Sequence, residues 1–280
     1  MNICIVGAGN IGTYLATYIS MKEGNKVWLH TSKPEVFKEE ITLVEEEKNL
    51  RHNVKVHSIT SSYEEAVKNA DYVLITYPSF MIEETLKKII PYLKKGTVVG
   101  VIPGFGGKEY LIDELLEKGC IFFGSQRVPS IIRLEKYGEC VLLKQKNEFM
   151  KLRVIPSKYS DKVCEVMTSF IDIPCLPLSN YLAITLSPSN PTMHPSRLYE
   201  LFHDYVEGET VYDRNPLFYE EWGTMASSEL LKLDEELELI FNAFNENNDF
   251  NPDDIEKIKL RYNIQKPEEL SQKINTAPGF

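Results

Sequence analysis

Ile3-Cys-Ile-Val6 is an unbroken apolar run; Gly7 to Gly12 interrupts it, a helical stretch follows, and Lys26-Val-Trp-Leu-His30 turns apolar again. Short apolar runs bounded by glycine read as buried strands, and two of them around a helical segment read as a β-α-β unit. The alternation continues to about residue 125. It predicts strands near Val54–Ile59, Tyr72–Thr76, Thr97–Ile102 and Cys120–Phe123. Between them lie a short helix ending near Ala70, with Ser62 and Glu65 at capping-box spacing, and helices Phe80–Lys94 and Lys108–Lys118. Tyr77-Pro78 stops one strand, Pro103-Gly104-Phe105-Gly106-Gly107 another, and Gly96 follows a basic last helical turn. The order implies an α/β class: a Rossmann-type, doubly wound, mostly parallel sheet with helices on both faces.

The pattern then changes. Cys140–Lys144 and Lys151–Ile155 flank a Lys146-Asn147 turn and predict an antiparallel hairpin, followed by a helix over Asp161–Phe170 and a strand over Ile173–Leu176. From Leu178 onward strand signals vanish. Arg197–Tyr205 places Leu198, Leu201, Phe202 and Tyr205 on one helical face. Asn215-Pro216 reads as the start of a longer helix with Phe218, Trp222, Met225, Leu233, Leu237, Ile240 and Phe244 on a stripe that also holds Glu229. The predicted organisation is a dinucleotide-type domain over 1–178 and an all-helical domain over 179–280, without a flexible linker. Glu45-Glu46-Glu47 reads as a solvated helix face.

Chemistry enters at the first turn. Gly7-x-Gly9-x-x-Gly12 lies between a strand and a helix inside a unit of about thirty residues, the context in which the motif points to a dinucleotide. Gly7 permits the tight turn, Gly9 lets a pyrophosphate approach the backbone, and Gly12 lets helix and strand pack closely. The free N–H groups at the start of the helix, at Asn10 and Ile11, face the phosphates. The alternative is a merely structural turn. Twenty residues on, where NAD-type sites place an acid, stand Thr31, Ser32 and Lys33, with no acid before Glu35. Hydroxyls beside a lysine suit a 2′-phosphate, so NADP is favoured, NAD being the alternative. The same residues also suit the start of the next helix, and both readings hold together.

Composition narrows the class. With 280 residues the chain is long enough for two domains, and a formal net charge of −10 argues against broad nucleic-acid binding. No apolar run approaches the roughly 18–20 residues of a membrane span, and a strand starting at Asn2 leaves no room for a signal peptide, so a cytoplasmic protein is expected. Five cysteines without metal-ligand spacing fit reduced thiols, Cys4 and Cys120 among them as small core hydrophobes.

A second constellation is Ser187-Pro-Ser-Asn190-Pro-Thr-Met-His194-Pro-Ser-Arg-Leu198. On a helical turn Asn190 and His194 share one face, and Pro195 predicts a helix boundary at His194. A histidine held at a rigid boundary suits general acid–base work. The competing reading makes Asn190 a cap and His194 a satisfied, partly buried histidine. His30, His52, His57 and His203 read as structural.

Gly7-Ala-Gly-Asn-Ile-Gly12, Ile102-Pro-Gly-Phe-Gly-Gly107, Gly124-Ser-Gln-Arg-Val-Pro129 and Asn190-Pro-Thr-Met-His-Pro195 occur in this order. Together they resemble the opine dehydrogenases, the octopine and nopaline dehydrogenase family, over nearly the whole chain. The resemblance implies NAD(P)H-dependent reductive condensation of an amino acid with a 2-keto acid through an imine. It implies His194 as the acid–base residue, Asn190 as a substrate-orienting residue, and Tyr77-Pro78 and Pro103-Gly104 as borders of the cofactor. Arg127 and Arg133 are candidates for a substrate carboxylate. Family members run further, into a region with an acid paired to the histidine, and Ile274–Phe280 lies where that helical domain would continue. Either the chain is cut short there or the acid partner comes from elsewhere, with Asp234 and Glu229 as candidates. Small-molecule substrates, no membrane and a homodimer complete the expectation. The competing classes are a ketopantoate-reductase-like 2-keto-acid reductase and a non-catalytic dinucleotide sensor.

Overall fold

The β-α-β opening is present: β1 (Asn2–Val6), α1 (Asn10–Ser20) and β2 (Lys26–His30) follow one another, with β1 and β2 parallel. The computed structural model describes residues 1–245, 251, 254–255 and 257–277. Its first unit, Met1–Thr185, continues through β3 (Ile41–Glu45), β4 (Leu50–Val54), β5 (Ser58–Thr60), α2 (Tyr63–Val67), β6 (Tyr72–Ile75), α3 (Ile82–Ile89), β7 (Val98–Val101), α4 (Asp113–Glu117) and β8 (Ile121–Ser125). It closes with β9 (Ser130–Lys136), β10 (Cys140–Lys146), β11 (Met150–Ile155), α5 (Ser160–Ile171), β12 (Cys175–Pro177) and α6 (Leu182–Thr185). The predicted strand at Val54–Ile59 is divided, because β4 ends at Val54 and β5 begins at Ser58. Ser62 caps α2 by accepting from the Glu65 N–H, while the Glu65 carboxylate turns to Ser58 and Thr60, so the box is closed on one side.

Eight strands form one sheet in the order β12-β11-β8-β7-β6-β1-β2-β5. From β5 to β8 neighbours are parallel; β11 runs antiparallel to β8 and carries β12 parallel to itself. Ile3 to Val6 are all fully buried, so side chains on both faces of β1 are covered and the strand reads as a continuous apolar run. The strand order reverses beside β1, which puts the topological switch point at the carboxyl ends of β1 and β6. All five cysteines lie buried and free in this unit.

The expected hairpin does not form. β10 pairs antiparallel with β9 and parallel with β3 in a second sheet ordered β4-β3-β10-β9, whereas β11 joins the main sheet. Lys146-Asn147 is the crossing between sheets, held where Asn147 N–H and side-chain amide donate to Pro129 O and Val128 O. Ile41, Leu43, Ile132, Val141 and Leu143 of the second sheet enter the same core as α1. Every residue of α1 from Gly12 to Ile19 is consequently buried. Its hydroxyls are satisfied locally, Thr13 donating to Ala8 O and Thr17 to Thr13 O. The acidic run lies at the end of this sheet's β3 and in the turn after it, not in a helix. Glu45 ends β3 in a buried position, its carboxylate taken by Lys48 and His52, and Glu46 pairs with Lys144.

The second unit, Leu186–Phe280, contains α7 (Asn190–Phe202), α8 (Thr224–Asn245), α9 (Ile258–Arg261) and α10 (Pro267–Asn275). α7 runs through Pro195 and does not break at His194; α7 instead starts at Asn190-Pro191, where proline is tolerated, and bears the missing Pro195 N–H within its second turn. α7 buries Thr192, Met193, Ser196 and Arg197, leaving Leu198, Phe202 and Tyr205 of the predicted face exposed. α8 starts at Thr224 and not at Asn215. The Arg197 guanidinium takes the carbonyls of Leu217 and Phe218 out of any helical ladder, and Glu200 accepts from Gly223 N and Ala226 N at the mouth of α8. Arg197 and Glu200 also pair directly. The buried face of α8 is Ala226, Leu230, Leu231 and Phe241, so the predicted stripe is out of phase: Met225, Ile240 and Phe244 are exposed.

Removing Glu200 leaves a buried guanidinium unpaired and the α8 N-terminus uncapped. Glu200→Ala is expected to destabilise this unit by about 3 kcal/mol, measured by chemical denaturation.

Candidate active site

Gly7 has φ +107°, a conformation side chains resist, and its N–H donates to His30 O at the end of β2. A Cβ on Gly12 would sit 1.7 Å from Gly7 O, so only glycine lets α1 start against β1. Gly9 differs: a Cβ there would meet no protein atom within 4 Å. Gly9 is the N-cap of α1 with no side-chain cap, no acid stands in the first turn, and Gly9 and Asn10 are exposed. The open face at Gly9 and the uncapped helix start at Asn10 and Ile11 fit a diphosphate held by peptide N–H groups and the helix dipole. Asn10 has a further task, accepting from Leu134 N at 2.8 Å through Oδ1.

At the end of β2, Thr31 is buried. Its hydroxyl meets Tyr137 Oη at 3.1 Å and accepts from Lys33 N, so it belongs to the wall and is not an open donor. Ser32 and Lys33 are exposed at the same place, and Pro34 starts a 3₁₀ turn, so the helix-start reading holds alongside. His30 is buried, stacked on Tyr63 and bonded to Ser61 O, and burial pulls its pKa below 6.5.

Two further loops border the crevice. Thr76, at the end of β6, donates to Val6 O and Gly7 O, and Tyr77 Oη meets His30 Nδ1 at 3.3 Å; Pro78 is exposed. After β7, Gly104 N bonds to Ser125 O while Tyr181 donates to Gly104 O at 2.7 Å. A Cβ on Gly104 would lie 2.6 Å from the Gly124 backbone. Lys108 goes unnoticed in the sequence, where it is read as a helix start. It is a buried lysine donating to Ser79, which ties the loop after β7 to the loop after β6, and burial lowers its pKa. Arg127 lies half-buried between β8 and β9, and Arg133 is exposed on β9. A cavity of about 570 Å³ opens at the opposite, amino edge of the sheet beside Gly96 and Tyr159, away from the glycine turn.

In the second unit Asn190 and His194 lie four residues apart on α7, with Asn190 exposed and His194 half-buried. His194 Nε2 meets Tyr219 Oη at 3.0 Å, and Phe218 packs edge-on at 5.4 Å between centroids. Burial lowers the His194 pKa below 6.5. Neither candidate acid reaches it. Asp234 accepts from Ile258 N and Glu229 pairs with Lys232; among the described residues no carboxylate pairs with His194. Tyr219, placed by the carbonyls that Arg197 holds at Leu217 and Phe218, is the partner, and nothing in its spacing from His194 signals it.

Residues 3–142 match the family model "Ketopantoate reductase PanE/ApbA", and residues 177–280 match "NAD/NADP octopine/nopaline dehydrogenase, alpha-helical domain". Tauropine dehydrogenase of Arabella iricolor is 28% identical over 168 residues, 58% of this chain and 42% of that protein. Opine dehydrogenase of Haliotis discus hannai is 27% identical over 173 residues, 60% of this chain and 42% of that protein. Octopine dehydrogenase solved with NADH and agmatine superposes with a TM-score of 0.81 at 20% identity, covering 99% of this chain and 74% of that one. The chain thus joins a ketopantoate-reductase-type N-terminal region to an octopine-type helical region. Over residues 177–280 the chain carries the octopine-type helical domain, and it is similar to the opine dehydrogenases. It spans about two fifths of the length of the curated relatives it matches. Among the described residues, no helix is long and apolar enough to cross a membrane.

The glycines separate by their surroundings. Gly12→Ala is expected to cost about 3 kcal/mol of stability through overpacking. Gly9→Ala is expected to stay within about 1 kcal/mol of the parent in denaturation and to lose dinucleotide binding, measured by calorimetry.

Proposed function

We propose that this chain is an opine dehydrogenase that prefers NADP(H) and reductively condenses an amino acid with a 2-keto acid. The observation that carries the reading is the order on one chain: a glycine turn whose Gly9 faces open space, then a helix bearing Asn190 and a tyrosine-held His194. Preference for NADP follows from the end of β2, where Ser32 and Lys33 are exposed and the strand ends in a buried histidine instead of an acid. NAD use is the alternative, and a homodimer is the assembly to test.

The amine adds to the keto carbon and water leaves, giving an imine. A nicotinamide cofactor held at Gly9 and the start of α1 would supply the hydride for the imine carbon, and one proton completes the secondary amine. Keto acid, amine, NADPH and one proton thus yield the opine, NADP⁺ and water. In this scheme His194 moves the proton, Asn190 orients the substrate, and Arg127 binds a carboxylate as a bidentate fork. Tyr219 fixes the His194 ring through Nε2, the duty an acid performs in other sites. Because burial lowers the His194 pKa, the ring is neutral at pH 7. Reduction, which needs the protonated ring, falls as pH rises through that lowered pKa; oxidation of the opine, which needs the neutral ring, rises over the same window.

The match of residues 3–142 to the ketopantoate reductase model favours a second reading, reduction of a 2-keto acid alone. Oxidation of NADPH by pyruvate with and without an amino acid decides between them: turnover that ignores the amine sinks the opine reading. His194→Ala is expected to lower kcat by about 10²–10⁴ with NADPH affinity unchanged. Tyr219→Phe is expected to lower kcat about tenfold and to move the pH midpoint. NADPH binding with no hydride transfer across keto acids and amines would instead mark a sensor.

A further inference from the structure

The second sheet reaches the start of α1, next to the glycine turn. β9 is an outer strand of that sheet, and its free edge meets the start of α1 where Leu134 N donates to the exposed Asn10 at 2.8 Å. Leu134 leans on the core, so Arg133, one residue earlier, points to the other face, where it is exposed. Its Nη1 donates to Ile132 O at 3.0 Å, which folds the guanidinium back along this edge. Among the described residues no carboxylate pairs with Arg133; Glu135, on the same face, is turned to Cys140. The far end of the hairpin is fastened too. Tyr137 meets Thr31, and a Cβ on Gly138 would lie 2.6 Å from Val36 O. Held at both ends, β9 keeps Arg133 next to the residue whose N–H bonds Asn10 at the start of α1.

We propose that Arg133 binds the cofactor diphosphate, closing over phosphates that the α1 N-terminus holds from the other side. This rests on the dinucleotide reading of the same site and moves Arg133 from the substrate carboxylate to the cofactor. Peptide N–H groups supply only a partial positive charge, and the chain carries a net −10. A guanidinium presented to two phosphates supplies the bidentate, charge-assisted bonds they lack. Asn10 and Tyr137 act as positioning residues for the strand.

The experiment titrates NAD⁺ and NADP⁺ into the full chain by calorimetry, for the unmodified protein, Arg133→Ala and Arg133→Lys. Arg133→Ala is expected to weaken both nucleotides by the same factor, about ten- to a hundredfold, at an unchanged thermal midpoint. Arg133→Lys, a point charge without the fork, is expected to recover part of the loss. A loss confined to NADP⁺ would place Arg133 at the 2′-phosphate and overturn the proposal. Unchanged nucleotide affinity with a raised KM for the keto acid would overturn it in favour of the substrate. An unmodified chain that binds neither nucleotide overturns the dinucleotide reading itself, a separate failure.

Discussion

Everything around the glycine turn depends on α1 being pressed between two sheets. The main sheet holds one side of the helix, and the second sheet covers the other with Ile41, Leu43, Ile132, Val141 and Leu143. The contact at Gly12 and Gly7 sets how closely the helix starts against β1. A helix so placed cannot tilt without breaking its packing on both sheets. Its first N–H groups are therefore aimed by packing, and the aim is independent of any ligand.

Much of this was legible in the chain. A strand buried on both faces is a continuous apolar run, so β1, β6 and β7 stand out, and the glycine turn between β1 and α1 follows. The second sheet was not legible because its strands pair across long separations: β3 lies beside β10, and no local pattern names that partner. Glu45-Glu46-Glu47 looked solvated for the same reason, since burial of Glu45 requires His52 from the next strand. Nothing in Lys146-Asn147 distinguishes a tight hairpin from a change of sheet.

The helical unit shows a different limit. The Asn190 and His194 pair could be found from spacing alone, because α7 is continuous and i, i+4 places both on one face. The helix that follows could not, because one arginine decides its start. Arg197 captures the carbonyls of Leu217 and Phe218, and the segment that looked helical from Asn215 is spent on that side chain. The most apolar stripe of α8 lost to the phase that this anchoring imposes. Tyr219 reaches His194 through the same loop, so the histidine's partner came from a contact that sequence periodicity does not encode.

The five cysteines give the first unit a chemical property of its own. Each thiol is buried, and burial pushes Cys140 and Cys164 up to about 11 and Cys175 up to about 12, with Cys4 and Cys120 also raised. The reactive species is the thiolate, and the folded interior suppresses it. Cys4, Cys120 and Cys175 sit on or beside strands of the main sheet, Cys140 on the second sheet and Cys164 on α5. Alkylation or oxidation at any of them therefore requires that layer to open first, so sulfur chemistry in this protein keeps time with the breathing of its sheets.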